Sequence, residues 1–188
     1  MYKVYAKPDQ EATYKIHRPD DETFQTLRLL LAHQFTYIGS PHIWAGDEMG
    51  MWGADDPSPR KPLIWPDYTF DNERAHPLGT DRPLDEVQFN EDLFRYYQKL
   101  IRIRNQYPVL MNGELQFLQT DDNNQLLVYK RFNETDEVTV TLNMGTGPQK
   151  IVLPNVGSRD LLNDYPIEMI EGTATLSLPP RSAAIITN

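Results

Sequence analysis

The sequence predicts an α+β protein whose helices come first and whose strands come last. Apolar residues recur at three- and four-residue spacing in two segments ahead of Pro108, and beyond it the period changes to two. Between the helical segments lies a long stretch rich in Gly, Pro, Asp and Trp, the composition of a loop.

Residues 1–19 are polar, and Pro8 and Pro19 disfavour a long helix there. Asp20 offers an N-cap to a helix over about 21–37, with Asp21 and Glu22 near its positive end. Phe24, Leu27, Leu30, Leu31, Phe35 and Ile38 carry the stripe, and Leu29-Leu30-Leu31 widens it enough to predict burial on more than one side. Gly39 stands at the C′ stop, with Pro41 soon after. Residues 42–45 (His-Ile-Trp-Ala) read as a short strand covered on both faces, and Gly46 provides a sharp exit.

Residues 46–89 form the loop. Structureless connections beyond about 12–15 residues in a compact domain are commonly functional or disordered. Trp44, Trp52 and Trp65 argue for order, since disordered segments are poor in aromatics. Asn90 then caps a helix over 91–106 with Leu93, Tyr96, Tyr97, Leu100, Ile101 and Ile103 on its stripe. Strands follow at 114–119, 125–132, 136–143, 149–153, 167–170, 173–178 and 181–187, separated by turn residues such as Asp121 to Asn124 and Gly145-Thr146-Gly147. Val138, Val140 and Leu142 alternate with Thr139, Thr141 and Asn143, which predicts an antiparallel sheet with one wet face.

A net charge of -9 and the lack of any Lys/Arg-rich run argue against nucleic acid, whose affinity depends on basic side chains neutralising phosphates. Without cysteine there is no disulfide, thiol catalysis or Cys-based zinc site, although the compartment stays open. No apolar run approaches the roughly 20 residues of a membrane span. The first ten residues lack the apolar core of a signal peptide, and a signal upstream of Met1 would be out of sight, so localisation is left unassigned.

Helix, Gly39-Ser40-Pro41, strand, Gly46-Asp47-Glu48, a loop carrying Asp56-Pro57-Ser58-Pro59-Arg60-Lys61-Pro62-Leu63-Ile64-Trp65, helix, and a terminal β-module form an ordered series. That series resembles the C-terminal part of the α-amylase superfamily, glycoside hydrolase family 13, within its neopullulanase, cyclomaltodextrinase and α-glucosidase group. Trp44-Ala45 stands where that group has two aromatics, and Leu63 where it has Met. The resemblance implies that residues 1–109 are the end of a (β/α)₈ barrel: helix 7 at 21–37, strand 8 at 42–45, the long loop, and helix 8. It implies that residues 110–188 are the antiparallel β-sandwich known as domain C. A barrel needs eight strands, and one is present. The family's nucleophile, acid/base and third carboxylate sit on strands 4, 5 and 7, so the resemblance assigns no catalytic residue to this chain.

Asp56 and Arg60 are the leading candidates for substrate contact. An arginine fork and a carboxylate suit the vicinal hydroxyls of a sugar, and the resemblance implies that this pair contacts a glucose unit on the non-reducing side of the cleaved bond. The same two residues can equally form an ion pair that pins the loop. Trp52, and less so Trp65, can stack on a glucose ring or pack the loop's core. Asp47 and Glu48 are adjacent at a strand exit and point apart, which suits structural hydrogen bonding better than an acid pair. Tyr129, Phe132 and Tyr165 can form a starch platform, although domain C is commonly a stabilising module. His33 and His42 lack metal-ligand spacing. The acids at 55–56 and 67–73 lack the alternating register of a calcium loop, so no cofactor is expected, calcium in a longer parent being the one left open.

The expected function is therefore that of the C-terminal fragment of an α-glucan-acting hydrolase, inactive alone, with an α-glucan or malto-oligosaccharide as partner of the intact enzyme. A self-sufficient, non-catalytic carbohydrate-binding or assembly module is the alternative. On the first reading strand 42–45 lacks both neighbours and helix 21–37 bares its stripe, which predicts disorder, repacking or self-association through residues 1–89.

Overall fold

The computed structural model describes residues 16–53, 60–74 and 82–188. Contacts gather the chain into two units: Asp21–His42 with Tyr96–Asn188, and the described parts of Met1–Asp20 and Ile43–Arg95.

In the first unit Asp21–Thr36 forms α1, with Asp21 and Glu22 in its first turn and Gly39 at φ +105° beyond its end. Glu91–Gln106 forms α2, whose later part, with Val109–Asn112 (α3), belongs to this unit. Eight strands follow: β1 (Glu114–Asp121), β2 (Leu126–Phe132), β3 (Glu137–Asn143), β4 (Gln149–Pro154), β5 (Arg159–Asp160), β6 (Ile167–Ile170), β7 (Thr173–Leu178) and β8 (Ser182–Thr187). They make a five-stranded sheet in the order β1-β2-β3-β8-β5 and a three-stranded sheet in the order β4-β7-β6, with every pairing antiparallel. The alternating pattern locates seven of these strands. It does not show β5, which is two residues long, or α3, which is a single turn; neither is long enough to establish a period.

The strand register decides what each face meets. Tyr129 pairs with Val140 and Val140 with Ile185, so these three share one face of the large sheet. Tyr129 bonds to Thr36 of α1, which identifies that face as the one covered by helix. Val128 pairs with Thr141 and Thr141 with Ala184, and these look the other way. Val128 and Ala184 join Ile151, Leu153, Ala174, Leu176 and Leu178 of the small sheet in one apolar core.

β3 is therefore buried on both sides, and the expected wet face is absent: Thr139, Thr141 and Asn143 lie inside the sandwich. Threonine fills such a core much as valine does, so alternation with valine gives a false reading of exposure.

α1 does not bare the stripe expected of it. Phe24, Leu29, Leu31, Ala32 and Phe35 are buried, and the helix contacts β8, β3 and α3. Leu30 and Ile38, both 60% exposed, are the apolar residues left outside.

Residues 42–45 do not form a strand. A parallel strand takes its backbone partners from strands beside it, and among the described residues none pairs with this segment. It runs without regular structure into a turn in which Asp47 N–H donates to Trp44 O at 3.0 Å.

Candidate functional site

In the second unit, two buried glycines, Gly46 and Gly50, set the start of the loop, Gly50 at φ +76°. Gly46 takes φ +101°, and its N–H donates to the Glu48 carboxylate at 3.0 Å. Its carbonyl accepts from the N–H groups of Met49 and Met51, both at 3.0 Å, closing the 3₁₀ turn Asp47–Met49. The left-handed φ of Gly46 is what favours glycine there, and a Cβ would also press on the Met51 side chain. Asn90 N–H donates to Met49 O at 3.0 Å, while Asn90 Oδ1 accepts from Leu93 N–H at 3.0 Å. One residue thus caps α2 and clasps the loop's first turn to it.

Farther along, the loop is fastened by charge. Lys61 Nζ donates to the Trp52 carbonyl at 2.9 Å, lies 5.4 Å from the Trp52 ring centroid, and pairs with Glu73. Arg82, its side chain 2% exposed, pairs with Glu73 at 3.5 Å and with Asp85. Asp85 also bonds to His17 Nδ1 at 3.2 Å, and a two-way backbone bridge joins Glu73 to Asp85. Burial alone would raise the Asp85 pKa. Hydrogen bonds from Arg82 and His17, with the Arg82 charge, hold it below the ordinary carboxylate value.

This network was not visible in the sequence, since its members are spread from residue 17 to residue 85 without periodicity. Of the acids at 67–73, Asp67 and Asp71 are exposed, whereas Glu73 is held by two cations. Among the described residues no cluster of His, Asp or Glu could hold a metal.

Of the candidate contacts, Arg60 is exposed and precedes Lys61, which begins a half-buried ion-pair frame. Asp56 lies outside the described residues. Trp52 is half-buried, covered by Lys61, and borders a small apolar hollow shared with Met51, Ile64, Glu73 and Val87. Trp65 is 45% exposed. Asp47 is exposed, and Glu48 turns inward to the Gly46 amide.

The aromatic trio of the β-module does not form a platform. Tyr129 is fully buried, its hydroxyl 2.6 Å from Thr36 Oγ1 and 3.3 Å from His33 Nδ1. Helix α1 covers the face that Tyr129 would have to offer. Phe132 lies under Lys130, and Tyr165 is half-buried at the edge of the sandwich core.

A helix leading to a positive-φ glycine, a glycine-hinged loop, a second helix and two antiparallel sheets form the architecture of the C-terminal part of α-amylase-superfamily enzymes. The chain is homologous to glycoside hydrolases of that superfamily, family 13, through its neopullulanase and cyclomaltodextrinase members. It is 31% identical to neopullulanase 2 of Thermoactinomyces vulgaris over 166 residues, covering 86% of this chain and 25% of that protein. With a cyclomaltodextrinase of Bacillus sp it shares 30% identity over 135 residues, or 72% of this chain and 21% of the relative. Among solved structures, the debranching enzyme of Nostoc punctiforme aligns with a TM-score of 0.64 and 27% identity over 88% of this chain and 31% of that one. The chain spans about a quarter of the length of the curated relatives it matches. No family model matches it.

Proposed function

We propose that the chain is the C-terminal portion of an α-glucan-acting glycoside hydrolase, and that in the intact enzyme it lines the substrate cleft without supplying the catalytic acids. The observation that carries this reading is the match to neopullulanase 2 across 86% of the chain. Residues 1–109 would then be the end of the catalytic barrel, and residues 110–188 domain C. Retaining cleavage of α-1,4 or α-1,6 glucosidic bonds, or transfer across them, needs two carboxyl groups about 5–5.5 Å apart. The family places that pair upstream of the matched region, so this chain's share is recognition.

Arg60 is the residue assigned to that task, with Asp56, four positions earlier in the sequence, as the second candidate and Trp52 as a candidate stacking face. The frame behind Arg60 is suited to it. Lys61 is locked onto Trp52 and Glu73, and Glu73 onto Arg82, so the exposed residue 60 is followed in the chain by an anchored neighbour. Trp52 is the weakest of the three, because Lys61 already covers its ring.

The alternative, a self-sufficient binding module, draws on the closed packing of α1 against the β-strands. Two measurements on the chain separate the readings: reducing-sugar release from pullulan and cyclomaltodextrin, and calorimetric titration with maltotriose or panose. The C-terminal portion gives no hydrolysis and no affinity that depends on Arg60. Binding at about millimolar Kd or tighter, abolished in Arg60→Ala, supports the module.

A further inference from the structure

A cleft of about 230 Å³ opens in the unit formed by residues 21–42 and 96–188, and no described residue of the 46–89 loop lines it. α1 contributes Gln25 and Arg28, α2 contributes Tyr96, the β5–β6 connection contributes Asn163 and Tyr165, and the β7–β8 turn contributes Arg181.

Each wall is fixed from behind. The Tyr96 hydroxyl donates to Arg28 O at 3.0 Å, and the Arg28 guanidinium lies 5.9 Å from the Tyr96 ring centroid. The Asp160 carboxylate, 2% exposed, accepts from the N–H groups of Leu162, Asn163, Tyr165 and Ile185 at 2.9–3.1 Å, which sets the path of the connection. Asn163 Nδ2 donates to Ala183 O at 2.8 Å, leaving its carbonyl oxygen as the acceptor of that side chain. Arg181 holds a left-handed φ of +47° and pairs with Glu22.

The cleft therefore combines guanidinium donors, two amides and an aromatic ring backed by the sandwich core. A pyranose asks for this mixture, because its hydroxyls both donate and accept while its C–H face is apolar. An anion fits less well, since Arg181 already carries a carboxylate and Arg28 is stacked on Tyr96. We propose that this cleft is a second sugar site, taking a glucosyl unit of a malto-oligosaccharide independently of Arg60. The choice of glucose rests on the α-glucan reading above; the polyol chemistry rests on the cleft itself.

The test is a titration of the full chain with maltotriose, followed by ¹⁵N–¹H spectra, in wild type, Arg60→Ala and Gln25→Ala/Arg28→Ala. Saturable shifts at the amides of residues 25–29 and 163–165 are expected in wild type and in Arg60→Ala alike. In the double variant the affinity falls at least about tenfold while the remaining spectrum keeps its dispersion. Absence of saturable shifts at these amides overturns the proposal, as does their persistence in the double variant. Shifts there with sodium phosphate but not with maltotriose also overturn it, in favour of an anion. Shifts confined to the loop around Arg60 sink this site and favour the self-sufficient module over the proposed function; shifts at the cleft alone support this site and leave the proposed function standing.

Discussion

The Arg131 guanidinium donates to the carbonyl of Thr36 at 3.0 Å, joining strand β2 to the last turn of α1. The same side chain reaches Leu110 O and Gly113 O, each at 2.8 Å, and Glu114 O at 3.3 Å. Arg104 donates to Phe35 O and Gly39 O at 2.7 Å. Two arginines thus occupy the carbonyl-rich end of α1, where the helix dipole favours positive charge and orphan acceptors need partners. Burial first, and the Arg104 charge second, pull the Arg131 pKa below its ordinary value, and the guanidinium remains cationic.

Arg131→Met is expected to cost at least about 3 kcal/mol, because the shape is roughly kept while several buried carbonyls lose a charged donor. Urea unfolding checks this. A loss under about 1 kcal/mol would mean that water or a neighbour replaces the guanidinium.

Thr141 should respond in the opposite direction. Its Oγ1 is buried in the sandwich core with no hydrogen-bond partner among the described residues. Thr141→Val removes a desolvated hydroxyl at constant volume and should stabilise by about 1–2 kcal/mol, read as a higher urea midpoint at unchanged slope.

Asp160→Asn tests the β5–β6 connection. An amide cannot accept four N–H bonds, and its own NH₂ would face donors. A loss of about 2–4 kcal/mol is expected, together with hydrogen exchange at the amides of Leu162, Asn163 and Tyr165.

His33 gives the pH dependence. Burial lowers its pKa from the ordinary 6.5, and its neighbours are the Tyr37 ring at 4.6 Å and the Tyr129 hydroxyl at 3.3 Å. Thr36 Oγ1 donates to Ala32 O at 2.6 Å, so a consistent chain runs from His33 Nδ1–H to Tyr129 to Thr36. The unfolded chain takes up this proton more readily than the folded one. Stability is therefore full above pH 6.5 and falls as pH drops from there through the lower folded value. Melting between about pH 7.5 and about pH 5.5 should show this slope in wild type and a shallower one in His33→Gln. Equal slopes would place the effect elsewhere.

Much of the fold was legible in the sequence because periodicity reports local geometry. Both long helices and seven strands lie where the apolar spacing places them, and Gly39 and Asn90 act as stop and cap. What was not legible depends on partners distant in sequence. Val-Thr alternation in β3 looks half-solvated, yet the small sheet covers the threonines. Residues 42–45 have strand composition, but among the described residues no strand pairs with them. Of the candidate site, Asp56, Arg60 and Trp52 are proposals drawn from the loop's residues, whereas the Lys61–Glu73–Arg82–Asp85 network was not legible. Ion pairs across a long loop leave no spacing signature.

The central claim, recognition without catalysis, is tested most directly by reducing-sugar release from maltotriose. The chain alone is compared with a chimaera in which it replaces the matching quarter of neopullulanase 2, with and without Arg60→Ala. The account predicts no turnover by the chain, turnover by the chimaera, and a KM raised by about tenfold or more in the Arg60→Ala chimaera with the chemistry retained. Turnover by the isolated chain, or a chimaera indifferent to Arg60, would contradict it.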